Sequence, residues 1–221
     1  MFSKLFGRNE KKFDRSAGAE PTGLSERFEL ADTPAAPTMT QAERLRAVAG
    51  SSSAERAAEM LIGPAALMQL SLDEARIIVS HMQPRRIARG TTVIREGDAD
   101  KTDFMLLILD GEVTVETIVV SRSEPITLTV LGPGRLIGEM GLLDGEARSA
   151  SCTTSTDVRG AILTREALGQ LLGDDPRTAA KLMMAISMRI AERLRECTEK
   201  LKMYTQLTQA MQQEINRPTV L

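Results

Sequence analysis

The sequence predicts an α+β protein, an antiparallel β-roll or jelly-roll-like barrel with helices before it and one long dimerisation helix after it. Three observations carry this. Between Pro84 and Leu163 apolar residues recur with period two in short runs, divided by turn signals such as EGD, DG and GPG; many short strands, not βαβ units, read this way. On both sides of that stretch the period lengthens to that of helices. From Met183 to Ile215 the seam Met183, Ser187, Ile190, Leu194, Cys197, Leu201, Tyr204, Thr208, Met211 and Ile215 steps by four and three, as heptads do.

Taken in order, residues 1–38 read as a tail and linker. Residues 1–13, MFSKLFGRNEKKF, hold three of the five phenylalanines beside Lys4, Arg8, Lys11 and Lys12. Their apolar positions approximate one helical face, which suits either a helix on a membrane surface or partner, or a frayed basic tail. Asp14 to Thr38 is rich in Gly, Pro, Ala, Ser and Thr without period, as linkers are. Residues 39–82 form a helical extension, with helices expected from Thr40 to Ala49, Ser53 to Ile62 and Ser71 to His81, the last opened by a serine cap with Asp73 and Glu74 in the first turn. The barrel occupies 83–175. Its expected strands are Arg86 to Arg89, Thr91 to Arg95, Phe104 to Leu109, Glu112 to Val120, Ile126 to Leu131, Ser149 to Thr154 and Val158 to Leu163. Thr164 then caps a helix to Gly173, and Pro176 sits where a first helical turn tolerates proline, opening the coiled-coil helix of 176–217. At about 1.5 Å per residue that helix runs roughly 55 to 60 Å, farther than the barrel, so its far half needs a partner, and a parallel homodimer through residues 183–215 is expected.

Composition bounds the function. A formal charge of −2 over 221 residues, with both signs interspersed, argues against a protein that coats nucleic acid. Cys152 and Cys197 are too far apart for a CxxC site, and His81 is the single histidine, expected at the surface of a helix end. No metal is therefore expected, and no cofactor beyond a ligand. No run of 18 apolar residues occurs, which suggests a cytoplasmic protein, with a peripheral membrane contact through residues 1–13 as an added expectation.

The segment with the most chemistry is Ile137 to Cys152, IGEMGLLDGEARSASC. Gly138 and Gly141 permit close backbone approach, and the apolar turn around Met140 points amides at an anion. Arg148 offers a two-pronged donor to a phosphate and Ser149 adds a hydroxyl. Glu139 is an acceptor-only group suited to a sugar hydroxyl. Two turns with a solvated ion pair would also produce this spacing.

The cassette GEMGLLDGEARSA resembles the phosphate-binding cassette of cyclic-nucleotide-binding domains, especially those of the bacterial catabolite-activator type. The resemblance runs from Leu72 to Tyr204 and includes the REGD turn at Arg95 to Asp98, LILDGEVTV at Leu107 to Val115, and LGPGRLIGE at Leu131 to Glu139. It implies that Glu139 binds the ribose 2′-hydroxyl and that Arg148 and Ser149 bind the cyclic phosphate. ERLRECTEKL, Glu192 to Leu201, resembles the helix segment that touches the base across such dimers. That implies a base contact for Thr198, a thiol at Cys197 in place of a first hydroxyl, and an Arg193 that pairs with Glu139 or approaches the ligand. Leu128 is the implied apolar wall under the base. The chain ends 13 residues after Thr208 without a helix-turn-helix segment, so DNA is not expected as a partner.

The resulting expectation is a cytoplasmic, homodimeric second-messenger receptor, most specifically for cAMP, that relays occupancy to a protein partner. A cyclic di-GMP receptor and a scaffold with a vestigial pocket are the alternatives. An enzyme is not expected, because no nucleophile–base pair, metal-ligand cluster or Walker-type loop is found.

Overall fold

The computed structural model describes residues 39–63, 70–117 and 126–215. The tail and linker expectations on residues 1–38 lie outside the described residues, as does the part of the expected strand Glu112 to Val120 beyond Thr117.

Three helices open the described chain: α1 (Gln41–Val48), α2 (Ser52–Leu61) and α3 (Leu72–Ser80). Each starts on a hydroxyl cap. Thr40 and Ser71 form full capping boxes with Glu43 and Glu74, and Ser51 accepts from the Ala54 amide; such caps satisfy amides that a helix start leaves orphaned, worth about 1 kcal/mol each. Eight strands follow: β1 (Gln83–Ile87), β2 (Thr92–Ile94), β3 (Phe104–Asp110), β4 (Val113–Thr117), β5 (Ile126–Leu131), β6 (Leu136–Ile137), β7 (Ser151–Thr154) and β8 (Val158–Thr164). A short α4 (Glu139–Asp144) sits between β6 and β7, and α5 (Arg165–Asp174) and α6 (Pro176–Ile215) close the described chain. The pairing is antiparallel throughout, in two four-stranded sheets of order β1-β8-β3-β6 and β2-β7-β4-β5.

β3 explains the two-layer core. Its residues from Phe104 to Leu109 are all buried. Phe104, Leu106 and Ile108 join Val113, Val115, Val158 and Ile162 inside the barrel, while Met105, Leu107 and Leu109 meet α2, α3, α5 and the start of α6. Alternate side chains of one strand thus serve two cores, and each large apolar group buried contributes roughly 1.5–3 kcal/mol.

The differences from expectation have local causes. β1 starts three residues early because Gln83 to Ile87 pair with Ile162 to Val158, and Pro84 is tolerated because β1 is an edge strand. β6 and α4, too short to show a period, were not anticipated. His81 is not a surface residue. It ends α3 but is buried, its Nδ1 donating to the Ile77 carbonyl at 2.9 Å and its Nε2 lying 3.3 Å from Asp174. α6 is one 40-residue helix. Its first turns bury Ala179, Leu182, Ala185 and Ile186, whereas Leu194, Leu201, Met203, Tyr204, Leu207, Met211 and Ile215 are exposed. The other large apolar side chains left exposed among the described residues are Met184 and Met188 on α6, Leu128 and Val130 on β5, and Met140.

Candidate functional site

The cassette begins where β6 ends. Gly138 adopts φ 82°, a left-handed conformation that costs glycine little, and turns the chain into α4. Its second role is space. A Cβ at Gly138 would stand 2.8 Å from Arg148 Nη1 and 2.9 Å from the Phe104 carbonyl oxygen, and one at Gly141 would stand 2.8 Å from the same Nη1. Both glycines are required by the arginine that lies between them.

Arg148 is only 5% exposed. Its Nε donates to the Lys101 carbonyl at 3.0 Å, Nη1 to the Gly138 carbonyl at 2.7 Å and Nη2 to the Phe104 carbonyl at 2.9 Å, with the guanidinium 4.7 Å from the Phe104 ring centroid. The REGD turn fixes its backbone, since the Arg148 amide donates to the Asp98 carbonyl and the Gly97 amide to the Arg148 carbonyl. Burial lowers the proton affinity of the guanidinium below that of free arginine, with nearby Cys152, Asp103, Glu139 and Asp98 acting the other way. Arg148 takes part in none of the ion pairs among the described residues. Three neutral carbonyls orient it. Of its five N–H groups two are left over, and among the described residues no carboxylate stands within ion-pair distance of it, Asp103, Glu139 and Asp98 acting only from farther off.

The cleft that Arg148 faces has a polar and an apolar side. Gly138, Glu139, Met140, Gly141, Asp144 and the run from Glu146 to Ala150 form the first, and Ile94, Val115, Leu131, Ile137 and Cys152 the second. Burial raises the Cys152 thiol to about 12, so it stays protonated and behaves as an apolar wall. Arg193 closes the cleft from α6, its Nη1 donating to Glu139 Oε1 at 2.5 Å; the Glu139 side chain is 5% exposed and that of Arg193 52%.

The structure therefore brings together Gly138, Glu139, Met140, Arg148, Ser149 and Arg193, six of the eight residues singled out in the sequence. The other two stand apart from the cleft. Leu128 is 52% exposed on β5, beside a bulge in the β4–β5 pairing, and Leu131 of the same strand lines the cleft. Thr198 is exposed, its hydroxyl donating to the Leu194 carbonyl of its own helix at 2.8 Å. Arg165 was missed by the sequence reading. From the first turn of α5 its Nε and Nη2 donate to the Leu142 and Gly141 carbonyls at 3.1 and 2.6 Å, bracing the cassette from behind.

Comparison with known proteins decides what this cleft belongs to. The family of the cyclic nucleotide-binding domain matches residues 84–175, which include the whole cassette. A cyclic nucleotide-binding domain from Methylobacillus flagellatus is 33% identical, with a TM-score of 0.59 over 66% of this chain and 81% of that one. The chain belongs to the cyclic-nucleotide-binding domain family. The Thermus thermophilus catabolite activator protein is similar to this chain with a TM-score of 0.54 at 31% identity, over 62% of this chain and 61% of that one. The CRP-like cAMP-activated global transcriptional regulator of Mycobacterium tuberculosis is 30% identical over 113 residues, 51% of this chain and 49% of that protein. The chain thus spans about half the length of the curated relatives it matches.

Proposed function

We propose that this protein is a non-enzymatic receptor for a cyclic mononucleotide, cAMP in particular, and that it works as a homodimer that relays occupancy to a protein partner. One observation carries the ligand reading. Arg148 is a buried cation oriented by three carbonyls and without a direct ion pair among the described residues, lining a cleft with two spare N–H groups. A buried charge without a direct ion pair is costly, and a phosphate offsets the cost through charge-assisted hydrogen bonds. Ser149 stands beside it, Glu139 supplies an acceptor for a ribose hydroxyl, and the apolar side of the cleft suits a flat base. The names of the relatives from Mycobacterium tuberculosis and Thermus thermophilus support cAMP within the class.

The exposed apolar seam of α6 supports the homodimer, because a solvated helix does not carry this many uncovered apolar residues at heptad spacing. A net charge of −2 with charges of both signs interspersed supports a protein rather than DNA as the recipient of the signal. The direct test is a thermal-shift panel with cAMP, cGMP and cyclic di-GMP, since a ligand that binds only the native state raises Tm by mass action. A Tm raised most by cAMP is expected. A rise with cyclic di-GMP alone would replace the ligand, and no rise with any of them would leave a scaffold whose pocket Arg193 has closed.

A further inference from the structure

The outer rod of α6 changes character at Met203. Eight of the fourteen residues from Arg189 to Lys202 are charged, and ion pairs such as Arg189 with Glu192 and Lys202 with Glu199 run along that surface. The eleven residues from Met203 to Gln213 carry no charge at all. The exchange follows the heptad. The place of Arg193 and Lys200 passes to Leu207, and that of Arg189 and Glu196 passes to Met203 and then Ala210. Met203 and Leu207 are 67% and 58% exposed.

Neither residue belongs to the seam of Leu194, Leu201 and Tyr204. At about 3.6 residues per turn, Met203 lies roughly 160° around the helix from Leu201, and Leu207 roughly 120°. The single partner helix of a two-stranded coil covers a narrow seam, so Met203 stays in water when that seam is closed. The seam is also less apolar here, with Tyr204 and Thr208 in consecutive layers. An apolar seam widened along one flank is the pattern of helices packed in bundles, where each helix has more than one neighbour. Every described residue from Glu192 to Gln213 is exposed, and Met203 stands about 15 Å along the axis beyond Arg193, the residue that ties α6 to the cassette. The widened stretch therefore has no cover from its own barrel.

We propose that residues 203–215 of two homodimers pack tip to tip as an antiparallel four-helix bundle, so that the assembled protein is a tetramer. It rests on the homodimer proposed for the seam, because the bundle forms on helices already paired, and loss of the Leu194 and Leu201 seam takes the tetramer with it. The occupant of the widened face is a second copy of this chain. A foreign helix is selected by charges that match or repel, and this face offers none, whereas a neutral face is complementary to itself across a two-fold axis. A parallel approach would crowd four barrels at one end, while opposed rods overlap for about 18 Å with the barrels at the far ends. That contact closes on itself and stops at four chains. A lipid surface is a poorer fit, since helices that lie on membranes carry Lys and Arg on the polar face, where this stretch has Gln206, Gln209 and Gln213.

Sedimentation velocity on the full chain without nucleotide, at tens of micromolar, tests it. The unaltered protein is expected at four chain masses. Met203→Glu with Leu207→Glu, at exposed positions outside the seam, is expected to halve that mass while the helical circular dichroism signal is retained, and Met203→Leu with Leu207→Met is expected to keep it at four. Two chain masses for the unaltered protein would overturn the tetramer and leave the homodimer standing, and one chain mass would overturn both. Four chain masses in the doubly charged variant would overturn the assignment of the contact to this face. Small-angle scattering on the same sample is expected to show two separated masses joined by a thin rod, and a compact particle would overturn the tip-to-tip arrangement.

Discussion

Arg148 holds three strands of argument in one side chain: a backbone brace, a buried charge and two spare donors. These separate experimentally. Arg148→Lys keeps the charge but cannot bridge the Lys101, Gly138 and Phe104 carbonyls, so it is expected to lose about 1–3 kcal/mol of stability, measured by denaturant unfolding, from carbonyls left unpaired. Ser149→Ala, at an exposed position with no structural bond among the described residues, is expected to weaken cAMP at nearly unchanged Tm. Gly141→Ala drives a methyl to within 2.8 Å of the anchored guanidinium and is expected to reduce both. At this scale the cassette was legible, because its residues lie within a dozen positions and their spacing states the turn they make. Arg165 was not, since its partners Gly141 and Leu142 lie on α4 and only folding brings α5 behind them. That Leu128 stands outside the cleft was hidden for a similar reason. Which face of an edge strand looks inward depends on register, and here a bulge falls between Val115 and Glu116.

Among the elements, α6 makes the strongest claim on what surrounds it. Its heptad seam was readable in the sequence because periodicity is a local property, and the structure adds that the seam is uncovered beyond the first turns. In a parallel, in-register pair the two Cys197 thiols face each other across the seam. Mild oxidation is therefore expected to produce a disulfide-linked dimer, seen as a doubled mass on a non-reducing gel, and an antiparallel pair would not give it. Leu194→Asp with Leu201→Asp is expected to yield monomers by sedimentation.

The α5–α6 joint carries a pH dependence of its own. Burial works against the charge of Asp174, but hydrogen bonds from Arg44 and His81 outweigh it and hold its carboxyl below the ordinary range. The Thr178 hydroxyl and amide do the same for Asp175, and Lys181 with the Ser71 amide for Glu74. Groups depressed in the folded state contribute stability that is present above their unfolded values, near pH 4, and lost as pH falls through the folded ones. The Tm is expected to drop between pH 5 and 3, and less steeply in Asp174→Asn. An equal slope in both proteins would show that the joint carboxylate has no share in acid stability.

For the whole molecule, the sequence conveyed the order of parts: a helical extension, a barrel and a long rod. What it could not convey was how the extension is tied on. The bonds from Arg44 to Asp174 and from Lys181 to Glu74 join residues more than a hundred positions apart, and no local pattern marks such pairs. A chain starting at Thr40 retains every residue around the cleft and is expected to bind cAMP with unchanged affinity. The measurement that bears most directly on the account is a calorimetric titration of cAMP into the unaltered protein and Arg148→Ala side by side. The account predicts saturable binding to the first and a loss on the order of one hundredfold in the second, as expected for a lost charge-assisted phosphate contact. Equal affinity in the two would mean that the buried arginine only braces the cassette and that the anion is bound elsewhere.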